Sequence, residues 1–297
     1  INGKCENLQS LRNTASQAGY GQIAILPRGK SWRDLPEKLQ PFLDSSEEIC
    51  VYPLGNFSQK GEGKKLAPHA ELIEHGAIGI ADDNSLIEIE LLRKGLMVGE
   101  MKNHPIFLAP RDKKIQGLGL IRDGAEALRV GCLSDPITSE TIPLRQILEL
   151  HLEHPKKSIS IMNISTKEGV NILRENISKI PTSVCWWHLI NDRTMLSPNE
   201  IGWKVFPSIG SPEDKHALID GLKDGTLTAI AVNAVPLDEE EILLPADIRP
   251  AGISGHHLVL PSLWQELINK NNFSIEQLWD YLSFGPSKMI HRSPETL

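Results

Sequence analysis

Cysteine is scarce and scattered. Cys5, Cys50, Cys132 and Cys185 form no Cys-x-x-Cys pair, which argues against a disulfide framework or a thiolate zinc site and for reduced thiols in a cytoplasmic protein. No apolar run approaches the ~20 residues of a membrane-crossing helix. No secretory signal is visible, although the chain opens on Ile1 rather than Met, which leaves room for residues upstream. Positive charge is in deficit: the formal net charge is −7 and the pI about 5.8. That balance speaks against nucleic acid or an anionic membrane surface as the main partner. Internal repeats, heptads and low-complexity segments are absent. So are a Gly-x-Gly-x-x-Gly turn after the first strand, a P-loop and a Gly-x-Ser-x-Gly elbow.

What is present is 297 residues with 40% apolar content, enough for one large domain or two small ones. Short apolar runs alternate with helical patterns. Strands are expected at 21–27, 48–54, 77–83, 104–110, 158–165, 182–189 and in the run that ends at Asn233. Helices are expected at 7–18, 69–76, 86–102, 140–154, 167–177 and 211–225, the last with Ser211 as N-cap and Asp214 closing a capping box. Continuously apolar strands between helices indicate a parallel sheet covered on both faces. Several strands end in polar residues, Asp82/Asp83, Asn163, His188 and Asn233, where a (β/α)8 TIM-type barrel builds its site. Together with the missing dinucleotide fingerprint, this favours the barrel over a doubly wound sheet. Seven strands are legible, one fewer than a closed barrel holds.

Each polar candidate has a plain reading beside the chemical one. Asp82 and Asp83 could bind metal or act as acid and base, or simply form a strand-end turn. His188, beside Trp186 and Trp187 in an apolar strand, suits hydrogen-bonded packing more than ligation. His256 and His257 fall in a Gly-rich loop, "AGISGHHL". His69 and His75 are expected at the surface of a helix. "GLGLIRDG" (117–124) and "LDEEE" (237–241) are expected to be loops. None of these makes a catalytic constellation on residue chemistry alone.

The ordered blocks nevertheless resemble the dihydroorotase family of cyclic amidohydrolases, from about residue 5 to 290. "HGAIGIADDNS" is similar to the family's fourth strand, "SISIMNISTKEGV" to the sixth, and "VCWWHL" to the seventh with its paired histidines. "SDPITSETIPLRQ" resembles a Gly-x-Pro-x-x-x-Glu element. "WKVFPSIGSPEDKHALIDGLKDGTLTAIAVNAVP" is similar to the segment that ends in Thr-Asp-His-Ala-Pro, and "IRPAGISGHHLVLP" to the loop after it. The resemblance implies one barrel domain over 1–297, its first strand upstream of residue 1, with about 245–297 packing on the barrel or a small sandwich. It also implies zinc-assisted hydrolysis of a cyclic amide, in which a strand-eight Asp serves as ligand and base.

Carried over residue by residue, the family's site is degenerate here. Asp82 matches the strand-four Asp. The strand-five His falls on Ala109, the strand-six His on Asn163, and one strand-seven His on Trp187, with His188 retained beside it. Substrate-binding Asn and Arg fall on Phe206 and Gly210. The strand-eight Asp-His falls on Asn233 and Ala234, and an amide cannot take a proton from water. The resemblance therefore implies a barrel without catalysis and without a cofactor, a structural or regulatory partner of an enzyme such as aspartate transcarbamoylase, or a self-associating chain. The alternative is a cyclic amidohydrolase with a reduced zinc site that keeps Asp82. Under either reading, Asp82, Arg111, Asn163, His188, Asn233 and His256 are the polar groups expected at the pocket, with Asp112 near. Trp186, Trp187 and Phe206 are expected to fill the substrate space.

Overall fold

A computed structural model describes residues 8–27, 32–43, 49–82, 85–176, 178–195 and 197–294. Its strands are β1 (Gln22–Ile25), β2 (Cys50–Pro53), β3 (Gly55–Asn56), β4 (Ile80–Ala81), β5 (Ile106–Leu108), β6 (Ile121–Arg122), β7 (Ser134–Asp135), β8 (Ile159–Ile164), β9 (Thr182–Cys185) and β10 (Ala229–Ala231). The α-helices are α1 (Leu8–Gln17), α2 (His69–Glu74), α3 (Ile89–Val98), α4 (Lys113–Gln116), α5 (Ala125–Arg129), α6 (Thr138–Glu153), α7 (Lys167–Glu175), α8 (Trp186–Ile190), α9 (Pro212–Lys223), α10 (Glu239–Ile242), α11 (His256–Leu263), α12 (Ile275–Trp279) and α13 (Gly285–Met289).

The strands pair in parallel and almost in chain order. β1 pairs with β2, which passes through Leu54 into β3; the sheet then runs β3, β4, β5, β8, β9, β10. This is the winding of a (β/α)8-type barrel, with helices outside. Among the described residues, β10 and β1 do not pair. The barrel interior is packed by Leu54, Ala81, Phe107, Ala109, Met162 and Ala229, together with Met289 and Ile290 from the end of α13. That terminal segment lies across the starts of the strands: Gln22 Nε2 donates to Ser287 Oγ at 3.1 Å, and Ser158 Oγ meets His291 Nε2 at 2.9 Å. The larger core fills the layer between strands and helices, with Ile80, Leu92, Ile106, Leu144, Ile161 and Leu222 at its centre.

The 211–225 helix forms as α9, and its capping box is present: Ser211 Oγ accepts from Asp214 N at 3.1 Å and Ser211 N donates to the Asp214 carboxylate at 2.8 Å. Five expectations fail. The 117–124 stretch is not all loop, because Ile121–Arg122 pairs in parallel with Ser134–Asp135. The 182–189 strand stops at Cys185 and turns into α8, so His188 sits on a helical turn. His69 is buried, 1% exposed, with Nε2 2.7 Å from the Phe57 carbonyl oxygen. "LDEEE" is not an open loop, since Asp238 caps α10 in a capping box with Glu241. His256 and His257 open α11 instead of lying in a loop. No helix among the described residues is long and apolar enough to cross a membrane, and the three described cysteines are free.

Candidate functional site

Asp82 follows β4 directly and is 6% exposed. Its Oδ1 accepts from Phe57 N at 2.9 Å, Ser58 N at 3.0 Å and Asn56 Nδ2 at 3.4 Å, and its Oδ2 accepts from Ser58 Oγ at 2.5 Å. Ser58 Oγ in turn accepts from Gly63 N at 2.9 Å. Both carboxylate oxygens are thus committed to the turn after β3. Burial pushes the Asp82 pKa up, against the downward pull of the Ser58 and Asn56 hydrogen bonds. Asp83 lies outside the described residues.

Ala109 follows β5 in the barrel interior and offers a methyl group. Arg111, two residues on, leaves the axis. Its guanidinium stacks 3.6 Å over the Phe206 ring, and its Nε donates to Gln116 Oε1 at 2.6 Å. Asp112 caps α4, accepting from Lys114 N and Ile115 N.

Asn163 stands inside β8 at a left-handed φ of 53°, and Asn233 follows β10 at φ 47°. Asn163 N donates to Ser183 Oγ at 3.1 Å, while its Oδ1 is buried without a partner among the described residues. Asn233 Nδ2 donates to the Phe206 carbonyl at 3.1 Å. The two amides share a cavity of about 290 Å³ with Ala234, Ser183 and His256; among the described residues no Asp, Glu, Lys or Arg lines it. His256 meets the Tyr20 ring edge-on at 6.1 Å, and burial lowers its pKa.

Trp186, Trp187 and Phe206 do not line this cavity, contrary to expectation. Trp186 is buried in the outer core, and Trp187 Nε1 donates to the Gly202 carbonyl at 2.8 Å. Phe206 faces Arg111. The helical turn of α8 carries both tryptophans off the strand's alternation and away from the axis. His188, 2% exposed, donates from Nε2 to the Pro207 carbonyl at 3.0 Å. Burial lowers its pKa to about 4, so it is neutral near pH 7. The structure therefore joins Asn163, Asn233 and His256 in one cavity and sends Asp82, Arg111 and His188 to three other environments.

Sequence reasoning missed the polar cluster behind these strand ends. Arg122, 2% exposed, contacts Asp135 at 3.2 Å and Glu140 at 3.3 Å. Glu140 accepts from Ser165 N, Ser165 Oγ, Thr166 N and Thr166 Oγ1 at 2.5–3.1 Å. This cluster pins the turn that leaves β8 just after Asn163. The Pro-x-x-x-Glu spacing of Pro136 and Glu140 was its available signal.

The family's zinc chemistry asks for imidazoles and carboxylates with free oxygens. These positions offer a methyl group, two amides and a carboxylate whose oxygens are already occupied. Among the described residues no three His, Cys, Asp or Glu side chains converge. The described residues at these positions do not fit the metal.

Strand order and parallel pairing define a (β/α)8-type barrel of the amidohydrolase kind. No family model matches the chain. A dihydroorotase-like protein of Synechocystis is 30% identical over 321 residues, covering 96% of this chain and 72% of its own length. The dihydroorotase of Staphylococcus aureus is 24% identical over 299 residues, covering 98% and 70%. The chain belongs to the dihydroorotase-like family. Among solved structures, the L-hydantoinase of Arthrobacter aurescens superposes with a TM-score of 0.80 at 16% identity, over 94% of this chain and 65% of that one. The inactive dihydroorotase-like domain of a CAD-like multifunctional protein from Chaetomium thermophilum gives 0.65 at 14% identity, over 96% and 74%. Those two likenesses concern the fold.

Proposed function

We propose that this chain is a dihydroorotase-like barrel without turnover, serving as a structural or regulatory partner. The observation that carries the reading is Asp82. Both oxygens of the one carboxylate that matches a family site residue accept hydrogen bonds from the turn after β3. The amide at Asn233 adds support, because it donates a hydrogen bond where the family's mechanism needs a base. Aspartate transcarbamoylase is the candidate partner by family resemblance. The Chaetomium neighbour, an inactive dihydroorotase-like domain of a CAD-like multifunctional protein, is a precedent for a barrel of this kind without turnover.

The second reading is a cyclic amidohydrolase with a reduced zinc site. It draws support from the position of Asp82 at the end of β4 and from relatives named dihydroorotase. Elemental analysis of protein purified without chelator, with a ring-opening assay on a panel of cyclic amides, separates the two. The partner reading expects substoichiometric zinc and no ring opening. About one zinc per chain together with turnover would overturn it.

A further inference from the structure

The cavity beside Asn163 and Asn233 runs deeper than the strand ends. It reaches Gln22 at the start of β1 and Met289 in α13, and Leu11 and Leu282 close its side. Between those ends Leu54, Phe107, Met162 and Ile230 make its walls apolar. Among the described residues no Asp, Glu, Lys or Arg lines it, so an ion entering it would shed its hydration without meeting a counter-charge. At about 290 Å³ it is roughly twice the size of the ~150 Å³ apolar cavity that takes up one benzene. A body of two fused rings matches that volume.

Several polar groups on this wall are already engaged. Ser183 Oγ accepts from Asn163 N at 3.1 Å, Asn233 Nδ2 donates to the Phe206 carbonyl at 3.1 Å, and the Tyr20 hydroxyl donates to the His256 carbonyl at 3.3 Å. Asn163 differs. The residue is 7% exposed, and its Oδ1 is buried without a partner among the described residues. A buried amide in that state is costly to keep. Glycine would suit its left-handed φ of 53° without any such demand. An unpartnered amide set among apolar walls is the arrangement by which a pocket orients a mostly apolar ligand.

We infer that the barrel interior is a binding site for an uncharged aromatic alcohol, whose hydroxyl meets the Asn163 amide and whose rings lie against Phe107, Met162 and Ile230. A hydroxyl both donates and accepts, so it pairs with either end of the amide. This ligand differs in kind from the zinc-polarised cyclic amide that the family resemblance implies, and it holds no bond for the barrel to hydrolyse. The inference rests on the reading of a barrel without turnover. Its readout is binding, so zinc content and ring opening judge that reading separately.

Isothermal titration calorimetry of the full chain with 2-naphthol at neutral pH tests it, with naphthalene and 2-naphthoate as controls. 2-Naphthol is expected to bind at a single site, at least roughly tenfold tighter than naphthalene, which lacks the hydroxyl. The 2-naphthoate anion is expected to give no saturable heat. Asn163→Gly keeps the left-handed φ and should erase the preference for 2-naphthol over naphthalene. Ala231→Leu narrows the cavity and should abolish binding of both, with far-UV circular dichroism to check that each variant folds. No saturable binding of 2-naphthol, equal affinity for naphthalene, or 2-naphthoate bound as tightly would overturn the inference. So would a preference that survives Asn163→Gly, or binding that Ala231→Leu leaves unchanged, because either places the ligand elsewhere. Binding that EDTA removes would also overturn it, since the hydroxyl would then be held by a metal and not by the amide.

Discussion

Replacing Asp82 separates a structural carboxylate from a metal ligand. In Asp82→Ala, Phe57 N, Ser58 N and Ser58 Oγ lose the acceptor they share. Each buried donor left unmade costs about 1–3 kcal/mol. Water entering the space of the lost carboxylate recovers part, so the net loss should be about 3–5 kcal/mol. Asp82→Asn retains an acceptor at Oδ1 for the two backbone donors but removes the charged partner of Ser58 Oγ. Its loss should be about 1–2 kcal/mol. Urea unfolding followed by circular dichroism measures both, with and without EDTA. If the carboxylate acts only on the turn after β3, chelator changes neither wild type nor variant. The reasoning fails if Asp82→Ala costs under ~1 kcal/mol, or if EDTA destabilises the wild type as much as the mutation does.

Three further outcomes follow from the same structure. Glu140→Ala strands Arg122 and the Ser165 and Thr166 donors, and should cost about 3–5 kcal/mol in urea unfolding. The His188 pKa of about 4 lies below the ordinary value of 6.5. Its contribution to stability is therefore complete above pH 6.5 and is lost as pH falls toward 4, by up to about 3 kcal/mol. The difference in unfolding free energy between wild type and His188→Gln, measured from pH 7 to 4, should fall along that course. Gly285 packs where a Cβ would run into the Thr228 carbonyl oxygen. Gly285→Ala should then push α13 off β10 and lower the thermal midpoint, a loss of about 1–3 kcal/mol.

The barrel was legible because its strands are apolar on both faces and its helices carry period and caps. The spacing of Ser211 and Asp214 alone marks the start of α9. What stayed hidden was short or tertiary. Two-residue strands such as Ile121–Arg122 are too brief for any periodicity to register. The apolar run through Cys185 and Trp186 continues unbroken while the backbone changes from strand to helix. Two signals were present and underused. His69 lies three residues before buried Leu72, on the same helix face, and Asp238 with Glu241 has the spacing of a capping box. The fate of Asp82 could not be read, because its partners at 56–58 are more than twenty residues away in sequence.

The two amides at the strand ends have a backbone reason to be amides. Asn163 and Asn233 both adopt left-handed φ, at 53° and 47°. That region costs an L-residue roughly 1–2 kcal/mol, and Gly, Asn and Asp bear it best. The family resemblance puts a histidine and an aspartate at these positions, two residue types that also tolerate it. A barrel that no longer needs a base can exchange carboxylate for amide at Asn233 without disturbing the turn, and the Asn233 Nδ2 hydrogen bond to Phe206 then ties that turn to the neighbouring loop. Backbone demand can thus be separated from chemical demand. Asn233→Gly should be nearly neutral, the lost hydrogen bond being offset by relief at φ, whereas Asn233→Val should cost about 2–3 kcal/mol, from strain plus the lost bond. Asn233→Asp should leave the fold intact and restore no ring opening, because Ala109 offers no ligand atom and the neutral amide of Asn163 is a poor zinc ligand for holding a metal-bound water. Recovery of hydrolysis by that single change would mean that only the base was missing, and that the barrel still holds its metal by a route the described residues do not contain.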